Sequence, residues 1–189
     1  MDDSPTDSAA LADGTSGSSD GAARGGLALA LAGIAVVVVV LDQAAKYLVI
    51  RELTENVPVM MIDGWLQFRL IRNPGAAFSL ASGATWVFTV IAMVVSVVIV
   101  RIARRLGSGW WAVALGLLLG GAVGNLDDRL FRAPGLARGH VVDFIEYLRF
   151  PFMDFPVFNV ADSCIVVAAG LITVLGLRGI GIDGSRTVS

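Results

Sequence analysis

The sequence GLALALAGIAVVVVVLDQAAK, residues 26–46, is an apolar run that ends in three polar side chains. Its apolar part, residues 26–41, gives about 24 Å of helix at 1.5 Å per residue. Apolar residues 47–50 prolong the run, so Asp42 is expected near the far edge of a hydrocarbon layer about 30 Å thick. Asp42 and Lys46 are spaced i and i+4 on a helix, close enough to pair. The stretch therefore predicts a membrane helix with an ion pair near one end.

Three further apolar runs follow at 84–100, 109–126 and 160–177, each near the length that a membrane helix needs. The chain has 189 residues, of which 56% are hydrophobic, and its mean hydropathy is +0.76. A soluble domain of this size does not carry so much apolar content. The predicted fold class is an all-α membrane protein, a four-transmembrane-helix bundle with a small extracytoplasmic β element.

The segments that flank this apolar region have a different composition. Residues 1–24 are rich in Ser, Gly and Asp and predict a disordered acidic cytoplasmic tail. Residues 25–178 are expected to form one transmembrane domain, and residues 179–189 a short cytoplasmic C-terminal tail. The formal net charge is −2, without the basic surface that is typical of nucleic-acid binding, so we expect no nucleic acid partner.

Arginine placement predicts how the chain is oriented in the membrane. Arg101, Arg104 and Arg105 stand between the second and third spans with no acidic residue, while Arg24 precedes the first span and Arg178 follows the fourth. Cytoplasmic loops carry an excess of Lys and Arg. This side of the membrane, with both termini, is therefore expected to be cytoplasmic, and the longer connections are expected to face outward.

The first outward connection contains two strand-like stretches, residues 57–62 and 65–71, separated by Asp63-Gly64. An Asp-Gly pair between apolar runs favours a β-hairpin. We therefore expect a small β element on the outer face. The pattern does not assign residues 141–144, in the second outward connection, to helix or strand.

Glycines recur at every fourth position of the third span, at Gly116, Gly120 and Gly124. This spacing makes a flat stripe that another helix can approach closely. The partner helix belongs either to the same bundle or to a second copy of the chain. We favour packing within one chain, and expect a monomer.

Polar motifs lie at the ends of all four spans, and the threading of the chain brings these ends to the outer face. DQAAK at 42–46 closes the first span, and NPGAAF at 73–78 precedes the second. GNLDDR at 124–129 closes the third, and FNVAD at 158–162 opens the fourth. Polar groups at this depth are costly unless they are paired or used. The pattern predicts a functional site at the outer end of the bundle.

Two aspartates are the candidate reactive groups of this site. Asn159 is a good helix N-cap, which places Asp162 at the third position of the fourth helix, where the helix dipole favours a carboxylate. Asp143 stands among apolar residues, and desolvation is expected to raise its pKa. If the two carboxylates lie side by side they share a proton, because both cannot ionise cheaply.

A proton-sharing pair can activate water and protonate a leaving amine, as in aspartyl proteases, without a cofactor. The chain has one His and one Cys, which favours neither a metal site nor a cofactor site. Each aspartate alone is also consistent with a structural cap or an ion pair. Composition and spacing therefore lead only to a carboxylate site at the outer face.

At these motifs the chain resembles lipoprotein signal peptidase, the signal peptidase II family of bacterial aspartyl peptidases. The matching stretches are DQAAK at 42–46, RNPGAAFS at 72–79, GGAVGNLDDR at 120–129, GHVVDF at 139–144 and FPVFNVAD at 155–162. The resemblance implies hydrolysis of the bond before the lipid-bearing cysteine of diacylglyceryl-modified prolipoproteins. It further implies a multi-pass protein of the bacterial plasma membrane whose partners are these substrates and membrane lipid.

The resemblance also implies roles for individual residues. Asp143 and Asp162 correspond to the catalytic pair of the family. Four residues correspond to positions that line the site and hold the substrate backbone: Asn73, Asn125, Arg129 and Asn159. Three more are expected to support them: Asp128, Asp42 and Lys46. Asp127 occupies a variable position and receives no role.

Two other classes of protein remain open on the residues alone. A small proton-coupled carrier would use Asp42, Asp143 and Asp162 as relay carboxylates, although it needs ionisable groups at mid-membrane and at both faces. A structural or adaptor membrane protein would tolerate replacement of Asp143 in every functional assay.

Overall fold

A computed structural model describes residues 16–75, 85–149 and 155–187 of the chain. Within these ranges four helices are long and apolar enough to cross a membrane. They are α1 (Ser16–Glu52), α2 (Thr85–Ala103), α3 (Gly109–Phe131) and α4 (Val160–Leu177). The predicted four-helix membrane bundle is confirmed, and three of its helices begin at or within one residue of the predicted positions.

Helix α1 begins earlier than the composition indicated. It starts at Ser16, so residues 16–24, which were assigned to the disordered tail, are helical. Once a helix is nucleated, each further residue adds one hydrogen bond at little cost, so a long apolar helix extends into a flanking segment of small residues. Residues 1–15 lie outside the described part of the chain, and the division into tails and one transmembrane domain stays a prediction.

Helix α3 packs against the other three helices, and its glycines are the surface on which α1 lies. A Cβ added to Gly116 would lie 2.9 Å from the Cβ of Ile34, and one added to Gly120 would lie 2.6 Å from the Cβ of Val38. Real Cβ atoms do not approach so closely, so only glycine admits α1 at this distance. The glycine stripe therefore serves packing within one chain, as expected.

A three-stranded antiparallel sheet lies at one end of the bundle, which we call the sheet end. Its strands are β1 (Val59–Ile62), β2 (Leu66–Asn73) and β3 (Val141–Tyr147), in the order β1-β2-β3. The hairpin predicted at Asp63-Gly64 is confirmed, because Trp65 N donates to Ile62 O at 2.9 Å and Gly64 has a φ of +67°. Strand β3 also assigns residues 141–144, which the sequence left open.

Apolar side chains fix the sheet to the end of α1. Val49, Leu70, Val142 and Phe144 form one buried cluster, and each is at most 8% exposed. Because alternate residues of a strand point to opposite faces, burial of Val142 and Phe144 turns Asp143 to the other face of β3. This packing aims Asp143 away from the cluster and towards the helix ends.

Candidate active site

The N-terminus of α4 forms a capping box that fixes the first of the two candidate carboxylates. Asn159 Oδ1 accepts a hydrogen bond from Asp162 N at 2.9 Å, and Asp162 Oδ2 accepts one from Asn159 N at 3.3 Å. Both groups satisfy backbone N–H donors that a helix end leaves unpaired. The prediction that Asn159 caps α4 and places Asp162 at its third position is confirmed.

The Asn159 side chain also reaches the second carboxylate. Its Nδ2 donates to Asp143 Oδ1 at 2.7 Å, so this one side chain contacts the carboxylate of Asp143 and the backbone N–H of Asp162. Asn73 Nδ2 donates to the other oxygen, Asp143 Oδ2, at 2.8 Å. The turn after β2 fixes Asn73 in turn, because Gly75 N donates to Asn73 Oδ1 at 2.8 Å. The two amides thus hold Asp143 in one orientation beside Asp162.

The pKa of Asp143 is raised to about 7, chiefly because burial disfavours the charged carboxylate. The Asp143 carboxylate accepts both amide hydrogen bonds, and the residue is only 2% exposed. The negative charge of Asp162 raises the pKa further, whereas the hydrogen bonds from Asn73 and Asn159 lower it. The expected effect of desolvation is confirmed, and Asp143 can hold a proton near neutral pH.

Asn125 of α3 links Asp162 to a buried cation. Its Nδ2 donates to Asp162 Oδ1 at 2.7 Å, and its Oδ1 accepts from Lys46 Nζ at 3.1 Å. Asn159 Nδ2 is also 3.0 Å from the same oxygen. The two acceptor contacts orient the amide so that its N–H faces the carboxylate.

Lys46 lies in a fully buried ion cluster with two aspartates. Its Nζ is 2.7 Å from Asp42 Oδ2 and 2.8 Å from Asp128 Oδ2, and all three side chains are 0% exposed. The Asp42–Lys46 pair predicted from the i, i+4 spacing is confirmed. Buried charges persist only when they are paired and hydrogen-bonded, so the three side chains depend on one another.

The two carboxylates of this cluster also hold the backbone beside the candidate pair. Asp128 Oδ2 accepts from Val142 N at 3.0 Å, one residue before Asp143. Asp42 Oδ1 accepts from Ala161 N at 2.9 Å, one residue before Asp162. The cluster therefore fixes the backbone positions from which both aspartates project.

Two residues that the sequence analysis did not select complete the cluster. Arg132 Nε is 2.5 Å from Asp128 Oδ1, and Arg132 Nη2 donates to Gln43 Oε1 at 3.2 Å. Gln43 Nε2 donates to the carbonyl of Gly124 at 3.0 Å. The i, i+4 spacing of Asp128 and Arg132 is a signal that could have found the first residue, and the position of Gln43 beside Asp42 could have found the second.

Arg129 lies beside the pair, and in the described part of the chain no hydrogen bond joins it to either aspartate. Its guanidinium carbon lies 5.1 Å from the centre of the Phe88 ring, and its charge interacts with those of Asp143 and Asp162. Within the part of the chain that the structure describes, Arg129 Nη1 is buried and has no hydrogen-bond partner. Residues 76–79 of the second motif lie outside the described ranges.

Comparisons with a family model and with individual proteins point to the same family. A family model described as signal peptidase (SPase) II matches residues 34–178. The chain is 53% identical over 157 residues to a lipoprotein signal peptidase of Streptomyces griseus, covering 83% of this chain and 78% of that protein. It is 51% identical over 153 residues to one of Rhodococcus jostii, covering 81% and 75%.

A solved structure agrees with the fold. It is described as a bacterial membrane enzyme structure, determined by the in meso method at 1.9 Å resolution, and it superposes with a TM-score of 0.68 at 33% identity. The match covers 77% of this chain and 90% of the solved one. With the family model spanning most of the sequence, the chain belongs to the signal peptidase II family.

Proposed function

We propose that this protein is an aspartic endopeptidase that removes signal peptides from diacylglyceryl-modified prolipoproteins by hydrolysing the bond before the lipid-bearing cysteine. Family membership supports the removal of signal peptides from prolipoproteins. The observation that carries the aspartic mechanism is that Asn159 contacts both Asp143 and Asp162 at the sheet end of the bundle. Asn159 binds the Asp143 carboxylate through its side-chain Nδ2 and the Asp162 carboxylate through its backbone N–H. Two carboxylates held by one residue in this way are suited to share a proton.

In the proposed reaction the pair holds one proton and binds a water molecule. The ionised carboxylate takes a proton from this water, whose oxygen attacks the scissile carbonyl carbon. The protonated carboxyl gives its proton to the carbonyl oxygen, which forms a tetrahedral diol. The carbon–nitrogen bond then breaks as the leaving nitrogen takes the proton that came from the water. At the same time a hydroxyl of the diol gives its proton to the other, ionised carboxylate and becomes the carbonyl of the acid product, so the pair again holds one proton. The pair titrates as a unit, so either aspartate serves as base in one step and acid in another.

The position of the site suits a substrate that is anchored in lipid. We infer from the arginine-rich connection between α2 and α3 that the sheet end faces outward and that both termini are cytoplasmic. A scissile bond at the outer boundary of the membrane would leave the acyl chains of the substrate in lipid. Arg129 Nη1 has no hydrogen-bond partner among the residues that the structure describes, which supports a role for it in binding a carbonyl oxygen of the substrate backbone.

The remaining site residues are assigned supporting roles. Asn73 and Asn125 each donate a hydrogen bond to one carboxylate of the pair. Asp42 and Asp128, neutralised by Lys46, hold the backbone beside the pair. None of these groups needs to exchange protons with the substrate.

Cleavage of a diacylglyceryl-modified prolipoprotein by the purified protein tests the proposal. We expect the wild type to cleave, and Asp143→Asn and Asp162→Asn each to lower kcat by about 10³-fold or more, because a pair that acts as a unit fails when either member is lost. Asp127→Asn is the matched control, since Asp127 lies on the same helix end and has no role in the proposed site. It should cleave like the wild type.

Wild-type turnover by either pair variant would overturn the aspartic mechanism. A folded wild type that cleaves no prolipoprotein in detergent or lipid, yet carries protons across liposomes, would instead identify a carrier.

A further inference from the structure

The outer end of α2 contacts the candidate site at two separate places through one aromatic ring. The Phe88 ring lies against the guanidinium of Arg129 on α3. The same ring lies against the backbone of Gly75, in the turn that follows β2. Phe88 of α2 therefore contacts two elements that each bring a group to the pair: α3, which carries Arg129, and the turn after β2, which orients Asn73.

The contact with Gly75 is too close for any other residue. A Cβ on Gly75 would lie 2.7 Å from Phe88 Cε2, and its φ of +109° favours glycine in any case. Thr85 Oγ1, one helical turn before Phe88, donates to the carbonyl of Pro74 at 2.9 Å. The turn that orients Asn73 is thus held from one face of α2.

The contact with Arg129 is of a different kind. An aromatic face attracts a guanidinium through its quadrupole when the cation lies within about 6 Å of the ring centre. This attraction uses none of the N–H donors, whereas an acidic partner would occupy them in a bidentate pair. Arg129 Nη1 accordingly has no hydrogen-bond partner within the described part of the chain, although it is buried.

We propose that Phe88 is a positioning residue that holds the Arg129 guanidinium beside the Asp143–Asp162 pair and aims Nη1, which has no hydrogen-bond partner among the described residues, at an oxygen of the substrate peptide. The inference rests on the proposed function. The ring fixes the position of the guanidinium. Its contact with Gly75 fixes that position relative to the turn that orients Asn73. An aliphatic side chain of similar volume fills the space without attracting the cation.

The test is a double-mutant cycle on kcat/KM for prolipoprotein cleavage, measured by single turnover with excess enzyme. Phe88→Leu should lose about tenfold, while Phe88→Tyr, which keeps the ring, should stay within about threefold of the wild type. In an Arg129→Gln background Phe88→Leu should cost less than about twofold, because the cation that the ring holds is already gone. Trp86→Leu is the control, since Trp86 is an exposed aromatic residue on the same helix, and should leave cleavage unchanged.

A role in folding alone would lower activity equally in both backgrounds, which would overturn the inference. Wild-type activity of Phe88→Leu, or an equal loss in Phe88→Tyr and Phe88→Leu, would also overturn it, with the proposed function intact. Absence of cleavage by folded wild type would overturn the proposed function and the inference together.

Discussion

At the scale of single residues, two opposing effects set the pKa of the Asp143 carboxyl. Burial favours its protonated form, while the amide donors of Asn73 and Asn159 stabilise the ionised form. The balance brings its pKa to about 7. The proton that the proposed reaction needs is therefore retained below about pH 7 and lost above it.

The rate of cleavage should depend on pH as the protonation of Asp143 does. Below about pH 7 the pair keeps its shared proton, and above it the acid that protonates the carbonyl oxygen disappears. We expect kcat/KM, which reports the free enzyme, to fall about tenfold per pH unit well above pH 7. A profile that stays flat to pH 9 would contradict the role of Asp143.

Replacement of Asn73 should shift the alkaline limb of the pH profile, which is the range in which kcat/KM falls as the pH rises. Asn73→Ala removes a donor that lowers the pKa of Asp143, so the pKa rises and the limb shifts to higher pH while the maximal rate falls. Gln67→Ala is the control, because Gln67 is an amide on the same strand that donates to Glu146 instead. A shift to lower pH, or an equal shift in the control, would refute the assignment.

At the scale of elements, the close approach of α1 and α3 aligns the ion cluster with the pair. A Cβ on Gly124 would lie 2.8 Å from Asp42 Oδ2, so the glycine surface continues up to the cluster itself. Lys46, Asp42 and Asp128 are 0% exposed at this close approach, and their charges are tolerated there because they pair with one another. Helix packing and the buried cluster therefore depend on each other.

Gly120→Ala should disturb this interface. The new Cβ would lie 2.6 Å from the Cβ of Val38 and 2.9 Å from the carbonyl of Ala35, and overpacking of this kind costs about 1–3 kcal/mol. Gly33→Ala, where no atom lies within 4 Å, is the matched control and should be neutral. Thermal unfolding in detergent measures both, and equal stability of the two variants would contradict the packing argument.

A β-bulge in β2 is a second feature of the elements that positions the site. The register of β2 against β3 shifts between Phe68 and Ile71, which inserts one extra residue into β2. Each shift by one residue turns side chains to the opposite face. After the bulge, Asn73 pairs with Val141 and shares its face with Asp143, two positions away on β3. The bulge thus brings an amide donor to the pair.

At the scale of the whole molecule, the end opposite the sheet is closed by residues after α4. Trp111 Nε1 donates to the carbonyl of Ile180 at 2.9 Å, and Gly107 N donates to that of Ile182 at 2.9 Å. Ile182 packs against the buried cluster that contains Leu106. The segment after α4 therefore ties this helix to the connection between α2 and α3.

Gly107→Ala should loosen this end without affecting catalysis. A Cβ at Gly107 would overlap the carbonyl oxygen of Asp183, so we expect a loss of about 1–3 kcal/mol in the free energy of unfolding. The cleavage rate at a temperature where the protein stays folded should change less than about twofold, because the site lies at the other end. Gly176→Ala, with no atom within 4 Å, is the control. Loss of activity without loss of stability would show that the two ends are coupled.

The sequence by itself determined the features that depend on local spacing. Long apolar runs predicted the four spans, the i, i+4 rule predicted the Asp42–Lys46 pair, and capping preference predicted the place of Asp162. The Asp-Gly turn predicted the hairpin. Each of these rests on residues within one helix length or one turn of each other, where backbone geometry alone sets the distance.

Only the tertiary structure decided which distant groups meet. Asn159 reaches Asp143, and Lys46 joins Asp128, because helix packing brings together residues far apart in the chain. Phe88 was not selected from the sequence, since an apolar side chain in an apolar span has the same local pattern whether it faces lipid or a guanidinium. The physical reason is that a contact between separate elements depends on the crossing of helices and the register of strands, which local periodicity does not encode.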